Sequence, residues 1–196
     1  MTEIDFWFDP SCPYTWRTSR WLADVAQRRG VDVRWRVMSL AILNEGKEFP
    51  PQYGEAMDAG RVASRVMQAV RERCGNEALG RFYAEVGTLV HERGTEPGVD
   101  VYRQALRAGG LPEELATAGD DEAYQAGVVQ SHWEGQDRAG QESGSPITAV
   151  DDHPGFFGPI VVPPPAGDDA TRLLDALVAL SAIQSFSELK RARQAL

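Results

Sequence analysis

The chain has 196 residues, 42% of them hydrophobic and 25% charged, with a formal net charge of -9. This length allows one domain with a substantial core, or a domain that carries an insertion. The negative charge argues against nucleic acid and anionic membrane partners, because both are bound through clustered Lys and Arg. The segment MTEIDFWFDP has no basic region and no long apolar run, so a cytoplasmic location without membrane contact is expected.

The first forty residues predict a β-α-β unit. Residues 4–8 alternate and are rich in aromatic side chains, which is typical of a strand. A helical pattern begins at Pro13, where the missing N–H of proline costs nothing, and ends at Gly30. The segment VDVRWRVMSL, residues 31–40, alternates again and predicts a second strand. We expect the two strands to be parallel and joined by a right-handed crossover.

Residues 59–140 predict an all-helical insertion, because strand patterns are almost absent there. A loop, NEGKEFPPQYG, residues 44–54, precedes it. Five amphipathic helices are expected in succession. The first has the apolar face Val62, Val66, Met67 and Val70, and the second, within residues 76–94, the face Leu79, Phe82, Val86, Leu89 and Val90. The third is VDVYRQALRAG, residues 99–109, and the fourth LPEELATAG, residues 111–119. The fifth covers residues 121–140, where Tyr124, Val128 and Trp133 should lie on one face.

The α/β pattern returns after residue 140. SPITAV, residues 145–150, and FFGPIVV, residues 156–162, predict two short strands joined by a hairpin turn. DDATRLLDALVALSAI, residues 168–183, predicts an amphipathic helix with an acidic first turn, and FSELKRAR, residues 186–193, a final short helix. We therefore assign residues 1–58 and 141–196 to one α/β domain interrupted by the helical insertion.

Cys12 is the candidate nucleophile. It lies at the carboxyl end of the first strand, where open α/β sheets bind ligands, and directly before a helical turn. A helix N-terminus favours a thiolate, which is the form that attacks a disulfide, so Cys12 should titrate below the free value of about 8.5. An inert core cysteine is the alternative. The other cysteine, Cys74, is expected to pack or stay idle and not to bridge to Cys12; it could resolve a mixed disulfide only if the helical insertion brought it close.

Several stretches together carry a family resemblance: FWFDPSCPYTW, VMSLAILNE, SHWEGQDRAGQESGSP, FFGPIV and FSELKRAR. The chain resembles the DsbA-like thioredoxin-fold family, and within it the branch of FrnE and the mycothiol-dependent nitroreductases. The resemblance implies a thioredoxin-like fold with a helical insertion. It also implies a cis bond between Ser145 and Pro146 that faces Cys12. A low-molecular-weight thiol, mycothiol or a similar one, would be the co-substrate, with no tightly bound cofactor.

Thr15 departs from the family pattern, which has a second cysteine at this position. Threonine cannot resolve a mixed disulfide, so a second thiol from solution must complete the cycle. We expect the Thr15 hydroxyl to donate a hydrogen bond to the Cys12 thiolate. The predicted function is therefore that of a monothiol oxidoreductase, which reduces a disulfide or a small electrophile. Nitro-group reduction cannot be assigned to any particular residue.

The predicted substrate contacts surround the thiol. Pro13, Tyr14 and Trp16 follow Cys12 directly, and Ser145 precedes the proline of the opposing loop. His132 lies on the last helix of the insertion, which should return toward this loop, although a satisfied structural histidine is the simpler interpretation. The expected partners are a small thiol and a small-molecule or disulfide substrate, and a homodimer stays open.

No pair of histidines has metal-ligand spacing, so no metal site is expected. Two other functions stay open. Kappa-type glutathione transferases and chromene-carboxylate isomerases have Ser-Pro-Tyr in place of Cys12, Pro13 and Tyr14, and there the residue activates a bound thiol without cycling its redox state. The third interpretation is a binding or chaperone module without catalysis.

Overall fold

The computed structural model describes residues 2–48 and 50–192, with backbone only for residues 51–53. Among these residues it gives four strands, seven α-helices and shorter helical turns. They are β1 (Glu3–Phe8), α1 (Pro13–Arg29), β2 (Asp32–Val37), α2 (Leu40–Leu43), α3 (Pro51–Cys74), α4 (Asn76–Gly87), a π-helical turn (Thr88–Glu92), α5 (Val99–Ala108), 3-10 helices (Glu113–Asp120 and Glu122–Tyr124), α6 (Gln125–Ala139), β3 (Ile147–Val150), β4 (Phe156–Phe157) and α7 (Gly167–Ser181).

The contacts divide these residues into two compact units. The sheet unit comprises the described residues within 1–8, 12–36 and 134–196, and the helical unit those within 9–11 and 37–133. The short segment 9–11 thus packs with the helices, although it lies between β1 and Cys12 in the chain. The predicted domain boundaries, at residues 58/59 and 140/141, remain a prediction.

The sheet unit has the strand order β2-β1-β3-β4. β3 is antiparallel to both neighbours, with Trp7 opposite Ile147 and Ile147 opposite Phe157. α1 begins at Pro13 as predicted and ends at Gly30, whose left-handed φ of 64° suits glycine. The indole N–H of Trp21 on α1 donates to the carbonyl of Ala170 on α7, at 3.1 Å. This bond holds α1, and with it the residue that starts the helix, in the unit.

The helical unit is built on α3, which packs against α4 and against the 3-10 helix Glu113–Asp120. A Cβ added to Gly119 would clash with Val62 Cγ1, so this close approach requires glycine. The predicted helical faces are largely confirmed as core. The fully or almost fully buried members are Val66, Met67, Val70, Leu79, Phe82, Val86 and Leu89.

Two predicted boundaries in the first half are wrong. The second strand ends at Val37, because Ser39 caps a new helix: its Oγ accepts the N–H of Ile42 at 3.3 Å. α3 begins at Pro51, inside the predicted loop. The two adjacent prolines suggest a loop, yet a proline suits the first helical turn.

Three predictions in the second half are also wrong. The strand expected over residues 156–162 covers only Phe156–Phe157, since Pro159 has no N–H for a ladder. Residues 186–192 form no helix, and Arg193 lies outside the described residues. Leu189 there is 81% exposed, so little apolar burial would support so short a helix. Trp133 is 48% exposed and does not share the buried face of Val128.

Candidate functional site

Cys12 is the N-cap residue of α1. Its backbone is extended, with φ −85° and ψ 112°, and its carbonyl accepts the N–H of Trp16 at 3.0 Å. The side chain is half-buried, and its thiol is directed at the carbonyl oxygen of Ser145, 3.9 Å from Sγ. The predicted position directly before a helix is therefore confirmed. Cys12 therefore lies at a helix N-terminus, where N–H groups favour an anion, and the residue as a whole is half-buried.

Thr15 is paired with Ser145. Its Oγ1 donates to Ser145 Oγ at 2.8 Å, and both side chains are buried. In the structure this hydroxyl is therefore bonded to Ser145, and its donation to the Cys12 thiolate stays a prediction. The reason for this pairing is tertiary, because Ser145 is 130 residues away in the chain and the sheet places it beside the first turn of α1.

The loop of Ser145 is held from two sides. The Ser145–Pro146 peptide bond is cis, and the carbonyl of Pro146 accepts the N–H of Gly158 at 2.8 Å. Thr18 on α1 donates through Oγ1 to the carbonyl of Pro159, at 3.0 Å. These bonds tie the proline loop, the segment after β4 and the start of α1 together within the sheet unit.

The predicted neighbours of the thiol differ in accessibility. Pro13 and Tyr14 are half-buried, whereas Trp16 is 2% exposed and carries the guanidinium of Arg20 over its ring, 4.1 Å from the centroid. Trp16 therefore offers almost no accessible surface to a ligand. A contact of Tyr14 or Trp16 with substrate stays a prediction.

Asp9 is a polar residue that sequence reasoning treated only as a turn former. Its carboxylate is fully buried; Oδ1 accepts the N–H of Ser11 at 2.7 Å, and Oδ2 accepts the N–H of Leu40 at 2.6 Å. Burial raises the pKa of Asp9, while the hydrogen bonds from Ser11 and Leu40 act in the opposite direction. The order Asp-Pro-Ser suggests an Asx turn, but no local pattern indicates that the carboxylate is buried.

His132 lies in the helical unit and is fully buried. Its Nδ1 accepts the N–H of Ser39 at 3.4 Å, so the neutral ring carries its proton on Nε2. Nε2 is buried without a hydrogen-bond partner among the described residues. Burial lowers the pKa of His132 to about 4, so the ring is neutral at pH 7. Its contact with substrate stays a prediction.

Cys12 and Cys74 are both reduced thiols, and no disulfide joins them. Over residues 2–48 and 50–192, no group of three or more His, Cys, Asp or Glu side chains is arranged to hold a metal ion. Within the same part of the chain, none of the helices combines the length and hydropathy that a membrane span needs.

Solved structures with a similar fold are DsbA-like and other thioredoxin-like proteins. A 2-hydroxychromene-2-carboxylate isomerase has a TM-score of 0.64 at 15% identity, covering 90% of this chain and 94% of its own. A probable DsbA oxidoreductase from Streptomyces coelicolor has a TM-score of 0.59 at 20% identity, covering 98% and 94%. The cytosolic disulfide reductase DsbM from Pseudomonas aeruginosa, solved with GSH, has a TM-score of 0.59 at 18% identity, covering 91% and 100%. The predicted α/β fold class, thioredoxin-like with a helical insertion, is confirmed.

The sequence comparisons narrow this class to a family. A family model described as Rv2466c-like, mycothiol-dependent nitroreductase Rv2466c, matches residues 11–191. The uncharacterized protein Rv2286c of Mycobacterium tuberculosis is 31% identical over 194 residues, which is 97% of this chain and 82% of that protein. The chain belongs to the Rv2466c-like family of mycothiol-dependent nitroreductases. The resemblance inferred from the sequence motifs is confirmed.

Proposed function

We propose that the protein is a thiol-dependent oxidoreductase that works through Cys12 alone, with mycothiol or a similar low-molecular-weight thiol as its co-substrate. The observation that carries the proposal is the pair at the start of α1. Cys12 is the half-buried N-cap residue, while the position of a second cysteine holds Thr15, whose hydroxyl is bonded to Ser145 at 2.8 Å. The family and the DsbA-like neighbours point to thiol chemistry in general.

The proposed cycle has two exchange steps. The Cys12 thiolate attacks one sulfur of a substrate disulfide; an S–S bond forms to Cys12, the substrate S–S bond breaks, and the other sulfur leaves as a thiolate. A small thiol, as its thiolate, then attacks the substrate sulfur of the mixed disulfide; Cys12 leaves as a thiolate, and the substrate half is released as a mixed disulfide with the small thiol. A second small thiol in solution attacks that mixed disulfide, frees the remaining substrate thiol and forms the disulfide of the small thiol, so two small thiols supply the two electrons. No internal thiol is needed at position 15.

The surrounding residues support these steps in distinct ways. The first turn of α1 would stabilise the thiolate electrostatically. In the thiol form, Cys12 donates a hydrogen bond to the Ser145 carbonyl oxygen, 3.9 Å from Sγ. The carbonyl of Ser145 and the loop of Pro146 are suited to bind the peptide-like part of a small thiol. The nitro-group reduction in the family description is not assigned to any residue of this chain.

The test is intact-protein mass spectrometry after incubation with mycothiol disulfide. We expect one mycothiol adduct per chain, mapped to Cys12 by peptide analysis and removed when reduced mycothiol is added. The matched variants are Cys12→Ser, which should form no adduct there, and Cys74→Ser, which should react like the natural chain. An adduct confined to Cys74, or a Cys12–Cys74 cross-link needed for turnover, would contradict a monothiol mechanism.

A second function is favoured by the same observation, the replacement of the resolving cysteine by Thr15. Cys12 would then act as the serine does in kappa-type transferases and chromene-carboxylate isomerases, and would activate a bound thiol without becoming oxidised. Turnover of an electrophile or isomerisable substrate with reduced mycothiol, while the mass of the chain never changes, would support this second function over the first.

A further inference from the structure

We infer that Asp9 is a positioning residue for Cys12: its buried carboxylate holds the turn of Pro10 and Ser11 from which Cys12 enters α1. The inference rests on the proposed function, because it concerns the same nucleophile. Asp9 would not touch the substrate. It would act through the backbone, by fixing the position of Cys12 as the N-cap residue of α1.

The two carboxylate oxygens of Asp9 have separate tasks. Oδ1 accepts both the N–H and the hydroxyl of Ser11, two residues on, which closes a local turn. Oδ2 accepts the N–H of Leu40, 31 residues away, at 2.6 Å. One side chain therefore shapes the turn and also ties it to the start of α2. Cys12 is the next residue in the chain after Ser11.

The start of α2 is itself firmly held. Ser39 Oγ accepts the N–H of Ile42, and the N–H of Ser39 donates to Nδ1 of the buried His132. The anchor that Asp9 uses, the N–H of Leu40, lies within this hydrogen-bonded turn. A shift of the Asp9 carboxylate would have to break the bond to Leu40 or move this turn of the helical unit.

Two further contacts hold the same segment. The carbonyl of Pro10 is 2.9 Å from His91 Nε2. Gly60 on α3 lies against Ser11, where an added Cβ would be 3.3 Å from Oγ, tighter than most real contacts. The segment that precedes Cys12 is thus held from α2, α3 and the π-helical turn. Asp9 is the member of this set that bonds to both the turn and its anchor.

The choice of aspartate supports a positioning role. Both oxygens face donors, and only a carboxylate accepts at both ends, whereas an asparagine amide would set its NH₂ against one N–H. Burying the charge is unfavourable, and burial raises the pKa of Asp9 while the hydrogen bonds lower it. A residue used only for a surface turn would not require this burial.

The experiment compares Asp9→Ala and Asp9→Asn in a Cys74→Ser chain, with Asp58→Asn, an exposed carboxylate on α3, as the charge-matched control. The readout is the iodoacetamide alkylation rate of Cys12 against pH, with thermal unfolding as the check of folding. Loss of a negative charge alone favours the thiolate and lowers the alkylation midpoint. A loosened turn weakens the alignment of Cys12 with the helix N-terminus and therefore raises the alkylation midpoint.

For Asp9→Ala we expect a midpoint about half a unit to one unit higher and alkylation at pH 7 about three- to tenfold slower. The alkylation midpoint of Asp9→Asn, which keeps the Oδ1 acceptor, should lie between the midpoints of Asp9→Ala and the natural chain. The midpoint of Asp58→Asn should equal that of the natural chain. Gly60→Ala leaves Asp9 in place but crowds Ser11, and should raise the midpoint by a smaller amount. If Asp9→Ala does not fold, the alkylation midpoints of Gly60→Ala and Asp9→Asn test the positioning role of Asp9.

A midpoint that falls or stays unchanged in the folded Asp9 variants would overturn the inference. The proposed function fails separately, if the natural chain forms no adduct with mycothiol disulfide. The alkylation midpoint does not depend on that result, so the two failures are distinguishable.

Discussion

The Cys12 site and the cluster of Asp9 and His132 are built in opposite ways. Cys12 is half-buried and lies near the Ser145 carbonyl, the paired hydroxyls of Thr15 and Ser145, and the loop of Pro146. In the helical unit, two ionisable side chains are fully buried and are held by the consecutive N–H groups of Ser39 and Leu40. The proposed nucleophile is on a half-buried residue, and the residues with the strictest hydrogen-bond requirements are out of reach of solvent.

This difference separates chemistry from support. A nucleophile must meet its substrate, so it keeps accessible surface and relies on the field of a helix terminus. A supporting ionisable group can be buried where it is hydrogen-bonded, because each hydrogen bond is stronger in a low-dielectric core, although burial of its charge is itself unfavourable. The free energy of unfolding should therefore depend on pH through the buried Asp9 and His132. The rate of thiol exchange should depend on Cys12.

The largest expected effect is the loss of adduct formation in Cys12→Ser. A serine hydroxyl is not deprotonated near neutral pH and forms no disulfide, so exchange with mycothiol disulfide should vanish. Thermal unfolding should change little, because Cys12 is half-buried. Exchange activity that survives in this variant would remove Cys12 from the mechanism.

Thr15→Cys should convert the chemistry of the site. It restores a second thiol three residues after Cys12, so the mixed disulfide should be displaced internally and the mycothiol adduct should become transient. Mass spectrometry after mild oxidation should then show a loss of about two mass units, from a disulfide between Cys12 and the introduced cysteine, in place of the adduct. A stable adduct in this variant would show that position 15 cannot reach Cys12.

His132 should make stability pH-dependent. Its folded pKa of about 4 lies below the ordinary value of about 6.5, so its contribution is fully present above pH 6.5 and is lost as the pH falls toward 4. The shift corresponds to about 3 kcal/mol over that window. Urea unfolding of the natural chain and of His132→Asn measures this: the difference between their free energies of unfolding should shrink as the pH falls. A difference independent of pH would contradict the burial argument.

Thr15→Val should test the hydroxyl pair at a smaller scale. The replacement keeps the shape but leaves the buried Ser145 hydroxyl without the Thr15 partner, which should lower the free energy of unfolding by about 1–2 kcal/mol. Adduct formation on Cys12 should stay within about threefold, because Thr15 is bonded to Ser145. Thr15→Ser is the control that retains the hydroxyl. A large loss of reactivity in Thr15→Val alone would return Thr15 to a direct role at the thiol.

Asp9 should make stability pH-dependent with a sign opposite to that of His132. Its pKa is raised in the folded chain, so the proton stabilises the fold below the ordinary value of 3.8, and this contribution is lost as the pH rises through the folded pKa. Asp9→Asn has no such titration. The unfolding free energy of the natural chain relative to this variant should therefore decrease with rising pH above 3.8, and an increase would show that the carboxylate is stabilised as an anion.

Local patterns determined much of the fold and the position of the proposed nucleophile. Alternation predicted β1 and the β3–β4 hairpin, and a proline at the first turn with glycine after the last predicted both ends of α1. Helical periodicity predicted the buried faces of α3 and α4. These signals are readable because they involve residues a few positions apart. The place of Cys12 before a helix follows from the same local rules.

Only the tertiary structure decided which groups are bonded to one another and which are buried. The partner of Thr15 is 130 residues away, and the second anchor of Asp9 is 31 residues away. Phe186 lies against Phe156 in a segment that forms no helix. Burial and hydrogen-bond partners depend on how distant parts of the chain pack, and that packing leaves no periodic trace in the sequence around a single residue.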